Sequence, residues 1–221
     1  LKGVQKERTI SDAFEQSGSG QSLVNMMDLD LLVGSGGVLS HAPRREQSAK
    51  MLIDSFMPEG ITQLAVDSIF MMPQLGVLAN IDKENLGEEA RNAALEVFNK
   101  DCLIRLGTCI SPIGNVKTGT TVLSVKLEFS DKTVIEKDIQ KNELYRIKAE
   151  YEPIKAEIIP HKKMDIGSGT GEPINTTIYG GIVGIILDGR DRPISIPTEP
   201  QERLSYLNDW SDALNEYPTK G

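Results

Sequence analysis

The chain is poor in the residues that carry most redox and metal chemistry. Among 221 residues there are two cysteines, two histidines and one tryptophan, and aromatic residues make up 5%. Cys102 and Cys109, with six residues between them, fit neither a zinc knuckle nor a redox pair, and they do not make a secreted disulfide framework. His41 and His161 have no third ligand at helical or knuckle spacing, so zinc has little support. Long apolar runs are missing as well. None approaches the roughly 18 to 20 residues that a bilayer crossing needs, and no signal-peptide pattern opens the chain. Positive charge is also short, with 24 Lys and Arg against 32 Asp and Glu and a net charge of −8. Nucleic-acid surfaces depend on clustered cations, so none is expected. The sequence therefore reads as a cytoplasmic, reduced protein with no metal site, no membrane contact and no nucleic-acid partner.

Length and composition permit one sizeable core or two small ones, at 39% hydrophobic and 25% charged residues. Residues 1–22 carry no strong core pattern and read as a poorly ordered leader or remnant, containing the small-residue stretch Ser17-Gly18-Ser19-Gly20. With no initiator Met at Leu1, the chain reads as a piece of a longer protein.

The densest signal lies between Leu29 and Phe56. An apolar run, Leu29 to Val33, leads into Gly34-Ser35-Gly36-Gly37-Val38-Leu39-Ser40-His41-Ala42 and then a helix opened by Pro43, whose fixed φ suits a first helical position. Ala49, Leu52, Ile53 and Phe56 recur at helical spacing and predict the packed face, with Arg44, Arg45, Glu46, Gln47 and Lys50 towards water. A strand, a bare glycine turn and a helix start allow a flat ring or a phosphate to approach the backbone closely.

Further along, Ile61 to Val66 reads as a short strand or the approach to a helix, with Asp67 or Ser68 as its cap. Asp82 to Lys100 reads as a helix with Ala90, Ala93, Ala94, Val97 and Phe98 along one face. The period then changes to two. Leu123, Val125, Leu127 and Phe129 alternate with polar residues, Ser130-Asp131-Lys132 turns, and Thr133 to Ile139 returns as a hairpin partner. Tyr145 to Tyr151 alternates again, and Gly181 to Leu187 is apolar enough to be buried on both faces. Gln201 to Asn215 reads as a helix anchored by Trp210. The fold class is thus α+β. A helix-rich α/β segment over 23–100 precedes an all-β barrel or sandwich over 101–198 and a C-terminal helix and tail over 199–221.

Several tempting constellations fail on spacing. Gly114 to Thr118 lacks the glycine directly before lysine that a phosphate cradle requires. Ser40-His41 has no strained elbow of the G-x-S-x-G type, so no catalytic residue is assigned. Asp165-Ile166-Gly167-Ser168-Gly169-Thr170 looks like a phosphate hairpin, but a polar approach from Pro160 and the interruption at Pro173 favour a loop between strands.

Strand, paired glycines and a proline-started helix together resemble the adenosine motif of the actin, sugar kinase and heat-shock chaperone ATPase superfamily. More narrowly, Gly34 to Arg45, Pro58 to Pro73 and Gly180 to Pro193 resemble the glutamate mutase accessory family, MutL-type and unrelated to mismatch repair. That resemblance implies an ATPase-type accessory or reactivating factor for a cobalamin-dependent mutase or aminomutase. It implies an actin-like subdomain in the first half, with Gly36 and Gly37 lining adenine and ribose and Gly34, Ser35, Val38 and Ser40 in the same loop. ATP or ADP is the implied ligand, at a partial site only. The implied partner is the mutase subunit, with a second copy of the chain as another. Phosphate-gripping elements are missing here, so neither hydrolysis nor tight ATP binding is expected of this chain alone. Two rivals stay open: a non-catalytic interaction module whose glycines merely turn the chain, and an enzyme built around Asp165 and Asp188.

Overall fold

A computed structural model describes residues 25–80 and 83–217. The expected leader at 1–22, Asp82 and the end of the C-terminal tail lie outside the described residues.

The α+β class holds. A 3₁₀ turn, Met26–Asp28, leads into strand β1 (Leu31–Gly34), the one-turn helix α1 (Gly37–Ser40), helix α2 (Arg45–Phe56) and strand β2 (Gly60–Asp67). Helices α3 (Met72–Asn80) and α4 (Lys83–Val97) then form an excursion, with a break at Gly87, where φ is 72°. A π-turn, Phe98–Cys102, returns the chain to β3 (Leu103–Ser111). The remaining strands are β4 (Ile113–Gly114), β5 (Thr121–Glu128), β6 (Val134–Gln140), β7 (Leu144–Ile147), β8 (Pro153–Pro160), β9 (Met164–Asp165), β10 (Ile174–Tyr179) and β11 (Gly184–Asp188). Helix α5 (Pro200–Leu214) closes the order.

Two larger sheets face each other. One has the order β1-β2-β3-β11-β7, the other β10-β8-β5-β6, and β4 pairs separately with β9. In the first sheet β1 runs parallel to β2, β2 antiparallel to β3, β3 parallel to β11 and β11 antiparallel to β7. The all-β barrel or sandwich expected over 101–198 therefore shares its first sheet with the 23–100 segment, because β3, β7 and β11 join β1 and β2.

Strand β11 shows why its sequence is apolar throughout. Ile185 and Leu187 point into the core between the sheets, with Ile110, Leu123, Leu127, Ile139, Ile154 and Ile158, while Ile186 points the other way. There it meets Ala49, Leu52 and Ile53 of α2 and Trp210 and Leu214 of α5. A strand covered on both faces has no use for alternation. Strand β8 is covered on one face and alternates residue by residue between exposed and buried. Burial of each such Leu or Ile contributes roughly 1.5–3 kcal/mol.

The differences from expectation have local causes. Helix α2 begins at Arg45 rather than Pro43, because Arg44 is its extended N-cap and the Gln47 side chain reaches back to the Arg44 N–H at 3.3 Å. Ala49, Leu52 and Ile53 are buried as expected, but Phe56 is 44% exposed: the helix ends there and Met57 turns left-handed. Ile61 to Val66 is strand, not helix approach. In α4 Ala94 is buried and Ala90 half-buried, while Ala93 and Val97 of the expected face are exposed. The alternation over Tyr145 to Tyr151 yields a strand only to Ile147, and β11 starts at Gly184 rather than Gly181.

Candidate functional site

Strands β1 and β2 are parallel neighbours in register, Leu31 with Gln63 through Gly34 with Val66, so both carboxyl ends reach one edge of the sheet. Open α/β sheets bind ligands outside such edges. The chain leaves β1 through Gly34, which is packed closely: an added Cβ would lie 2.8 Å from the Leu39 Cδ1 and 3.0 Å from the Leu52 Cδ2, so both leucine side chains would have to shift. Gly36 then takes φ 110° and ψ 157°, a left-handed geometry that side chains resist. Helix α1 follows, with its turn closed by Ser40 N–H and His41 N–H donating to the carbonyls of Gly36 and Gly37 at 2.9 and 3.0 Å.

Asp67, at the end of β2, fastens this loop. The buried Ser40 hydroxyl donates to the Asp67 carbonyl, and the Ser35 hydroxyl lies 3.4 Å from Asp67 Oδ2. The same carboxylate accepts the N–H groups of Met71 at 3.1 Å and Met72 at 2.9 Å, which caps the start of α3. Arg45 and Ser48 complete the fastening by donating to the carbonyls of Ser40 at 2.9 Å and Leu39 at 2.8 Å. The loop is therefore held from below and bare above. A Cβ built on Gly36 or Gly37 meets nothing within 4 Å, and Val38 is 75% exposed. Ile69 and Phe70 are exposed in the connection that leaves Asp67.

Gly34, Ser35, Gly36, Gly37, Val38 and Ser40 thus fall in one loop but in different roles. Gly36 and Gly37 offer the open backbone, and Ser35 and Ser40 turn towards Asp67. Gly34 is packed against Leu39 and Leu52. The sequence offers Asp67 or Ser68 as a helix cap, and Asp67 fills that role; its hold on the glycine loop depends on a pairing across 27 residues that no local pattern displays.

The other constellations resolve into structure. Asp165 Oδ1 accepts N–H groups from Gly167 at 2.7 Å and Gly169 at 3.2 Å, so the glycine-rich stretch is a turn closed on its own carboxylate. Asp188 is fully buried and bonded to Arg190 and Arg192. Cys109 is buried too, and burial, with Asp188 next in effect, pushes its thiol up to about 12. No group of three His, Cys, Asp or Glu side chains suited to a metal occurs among the described residues. Among the same residues no helix is long and apolar enough to cross a membrane.

A family model described as MutL protein matches residues 4–101. The match includes β1, the glycine loop, Asp67 and the α3–α4 excursion, and it ends before the stretch Gly180 to Pro193. No curated protein and no solved structure matches the chain.

Proposed function

We propose that this chain supplies the adenosine side of an ATP or ADP site in an accessory, reactivating factor of a cobalamin-dependent mutase. The observation that carries this reading is the unobstructed backbone of Gly36 and Gly37 at the carboxyl edge of a parallel strand pair. A purine laid there meets two residues without side chains and the exposed Val38, while Asp67 keeps the loop from collapsing. The MutL match spans this loop and supports the accessory role. In the parent factor, nucleotide-driven domain movement would release inactivated cobalamin from the mutase.

Docking to the mutase or to a second copy is assigned to the outer face of the four-stranded sheet, where Lys126, Lys155 and Glu157 are exposed. Deleting residues 101–198 would strip β3, β7 and β11 from the first sheet and leave β2 paired with β1 alone, so reversal of these three charges is the cleaner test. Undiminished capture of the mutase by that variant would remove the docking role.

The rival reading is a structural hinge, and the inward fastening of Ser35 and Ser40 favours it. Thermal shift with ATP, ADP and adenosine separates the two, because a ligand that binds only the folded chain raises its melting temperature. The nucleotide reading expects a response to adenosine that Gly37→Val abolishes. No response to any of the three compounds leaves the hinge.

A further inference from the structure

The pairings that bring β1 and β2 to one sheet edge also bring the end of β7 and the approach to β11 to that edge, at its opposite end. There a cavity of about 670 Å³ opens between the start of α2, Arg146 to Tyr151, the Gly181 to Val183 turn and Asn215. That volume is typical of small-molecule pockets.

Its lining inverts the charge of the molecule. Against a net charge of −8 for the chain, the cavity gathers Arg44, Arg146 and Lys148 around Glu46 and Glu150. A single carboxylate oxygen, Glu46 Oε1, accepts from both Arg146 Nη1 at 2.9 Å and Arg44 Nη2 at 3.3 Å, so two guanidinium groups share one acceptor. The Arg146 side chain is 8% exposed, and the Nε of Arg44 is buried with no partner. Buried donors without acceptors are uncommon, and guanidinium groups match the planar or tetrahedral oxygens of carboxylates and phosphates. Beyond the charged groups and Asn215 the wall carries an apolar strip, where Ile182 and Tyr151 stand exposed.

We propose that this cavity binds a small organic oxyanion, with a phosphate or carboxylate head held by Arg44, Arg146 and Lys148 and a flat or apolar body lying along Ile182 and Tyr151. The site is separate from the glycine loop and does not depend on nucleotide binding there.

Calorimetric titration of the whole chain with phenyl phosphate, benzoate, inorganic phosphate and benzyl alcohol tests it. Saturable binding of phenyl phosphate or benzoate is expected, and the stronger of the two identifies the head group. Inorganic phosphate should bind about tenfold more weakly for want of apolar contact, and benzyl alcohol not at all. Arg146→Met should abolish binding. Because it also leaves Glu46 short of a partner, Lys148→Glu and Ile182→Glu at the exposed mouth serve as companions; each should weaken binding about tenfold or more with melting unchanged. Gly37→Val should leave the titration as in wild type. The proposal fails if neither aromatic anion saturates below about 10 mM, if the two mouth variants bind as wild type does, if benzyl alcohol competes, or if Gly37→Val removes the binding.

Discussion

Arg190 grips Asp188 through two parallel bonds, Nε to Oδ1 and Nη2 to Oδ2, both 2.8 Å, and neither side chain reaches solvent. Arg192 Nη2 donates to the same Oδ2 at 2.8 Å, and Arg190 Nη1 donates to Asp54 Oδ1 at 2.8 Å. The Arg190 guanidinium also lies 4.9 Å from the Trp210 ring centre. One buried cluster thereby ties the end of β11 to α2 and α5, the two helices that cover the first sheet.

Removing the charge of Asp188 should therefore be costly. Burial alone would raise this carboxyl, but the Arg190 and Arg192 charges and their hydrogen bonds outweigh it and bring it from 3.8 down to about 2. A carboxylate lowered in the folded state stabilises fully above its ordinary value, and that stabilisation fades as pH falls towards 2. Asp188→Asn should cost about 3–5 kcal/mol at pH 7 by leaving Arg190 under-compensated. Urea melts at pH 7 and pH 3 check this. The gap between variant and wild type should narrow at the lower pH, and an equal gap at both would show that ionisation of Asp188 is not the source.

Backbone contact between β3 and β11 sets a second expectation. Gly107 has φ 139°, and a Cβ there would stand 1.8 Å from the Gly184 carbonyl oxygen. No side chain can yield, because both partners are main chain in a parallel pair. Gly107→Ala should lower stability by about 3 kcal/mol or more through displacement of the two strands. Chemical denaturation measures it, and a loss near zero would mean that the strands separate freely.

Such contacts mark where local pattern stops informing. The β5–β6 hairpin is legible because Leu123 to Phe129 and Thr133 to Ile139 alternate against a single covered face, and the Ser130-Asp131-Lys132 turn lies between them. Pairing of β2 with β3 is not, since the 35 residues from Ser68 to Cys102 separate the strands, and Asp82 to Lys100 among them read as helix. Phe56 keeps the helical spacing yet reaches solvent, because periodicity does not say where α2 ends. At the candidate site the glycines are legible by type, whereas the hold of Asp67 on their loop depends on β2 meeting β1, and in the separate cavity the Arg146–Glu46 pair depends on β7 meeting α2.

The two thiols offer a reporter of opening. Cys102 and Cys109 are both buried, and each thiol is raised, by burial foremost, with Cys109 at about 12. Thiols held protonated and covered react only when the structure opens. Alkylation of the native chain at pH 8 should be slow at both positions, and Asp188→Asn should speed labelling of Cys109, which packs in the α2–α5 core near the cluster. Rapid labelling of wild-type Cys109 would mean that this core opens readily.

Finally, Gly34 and Gly37 stand three residues apart in the same loop and should respond oppositely to one methyl group. At Gly34 the added carbon meets Leu39 and Leu52 at 2.8 and 3.0 Å inside the core, so Gly34→Ala should cost about 1–3 kcal/mol. At Gly37 it meets nothing within 4 Å, and the position lies in α1, where alanine is the better helix former. Gly37→Ala should therefore leave stability unchanged or raise it by about 0.5 kcal/mol. A residue that stability would replace without loss, in a bare stretch of the sheet edge, is hard to account for as a hinge alone. Should Gly37→Ala instead destabilise the chain as Gly34→Ala does, the space above the loop is needed for folding, and the case for a purine there loses its footing.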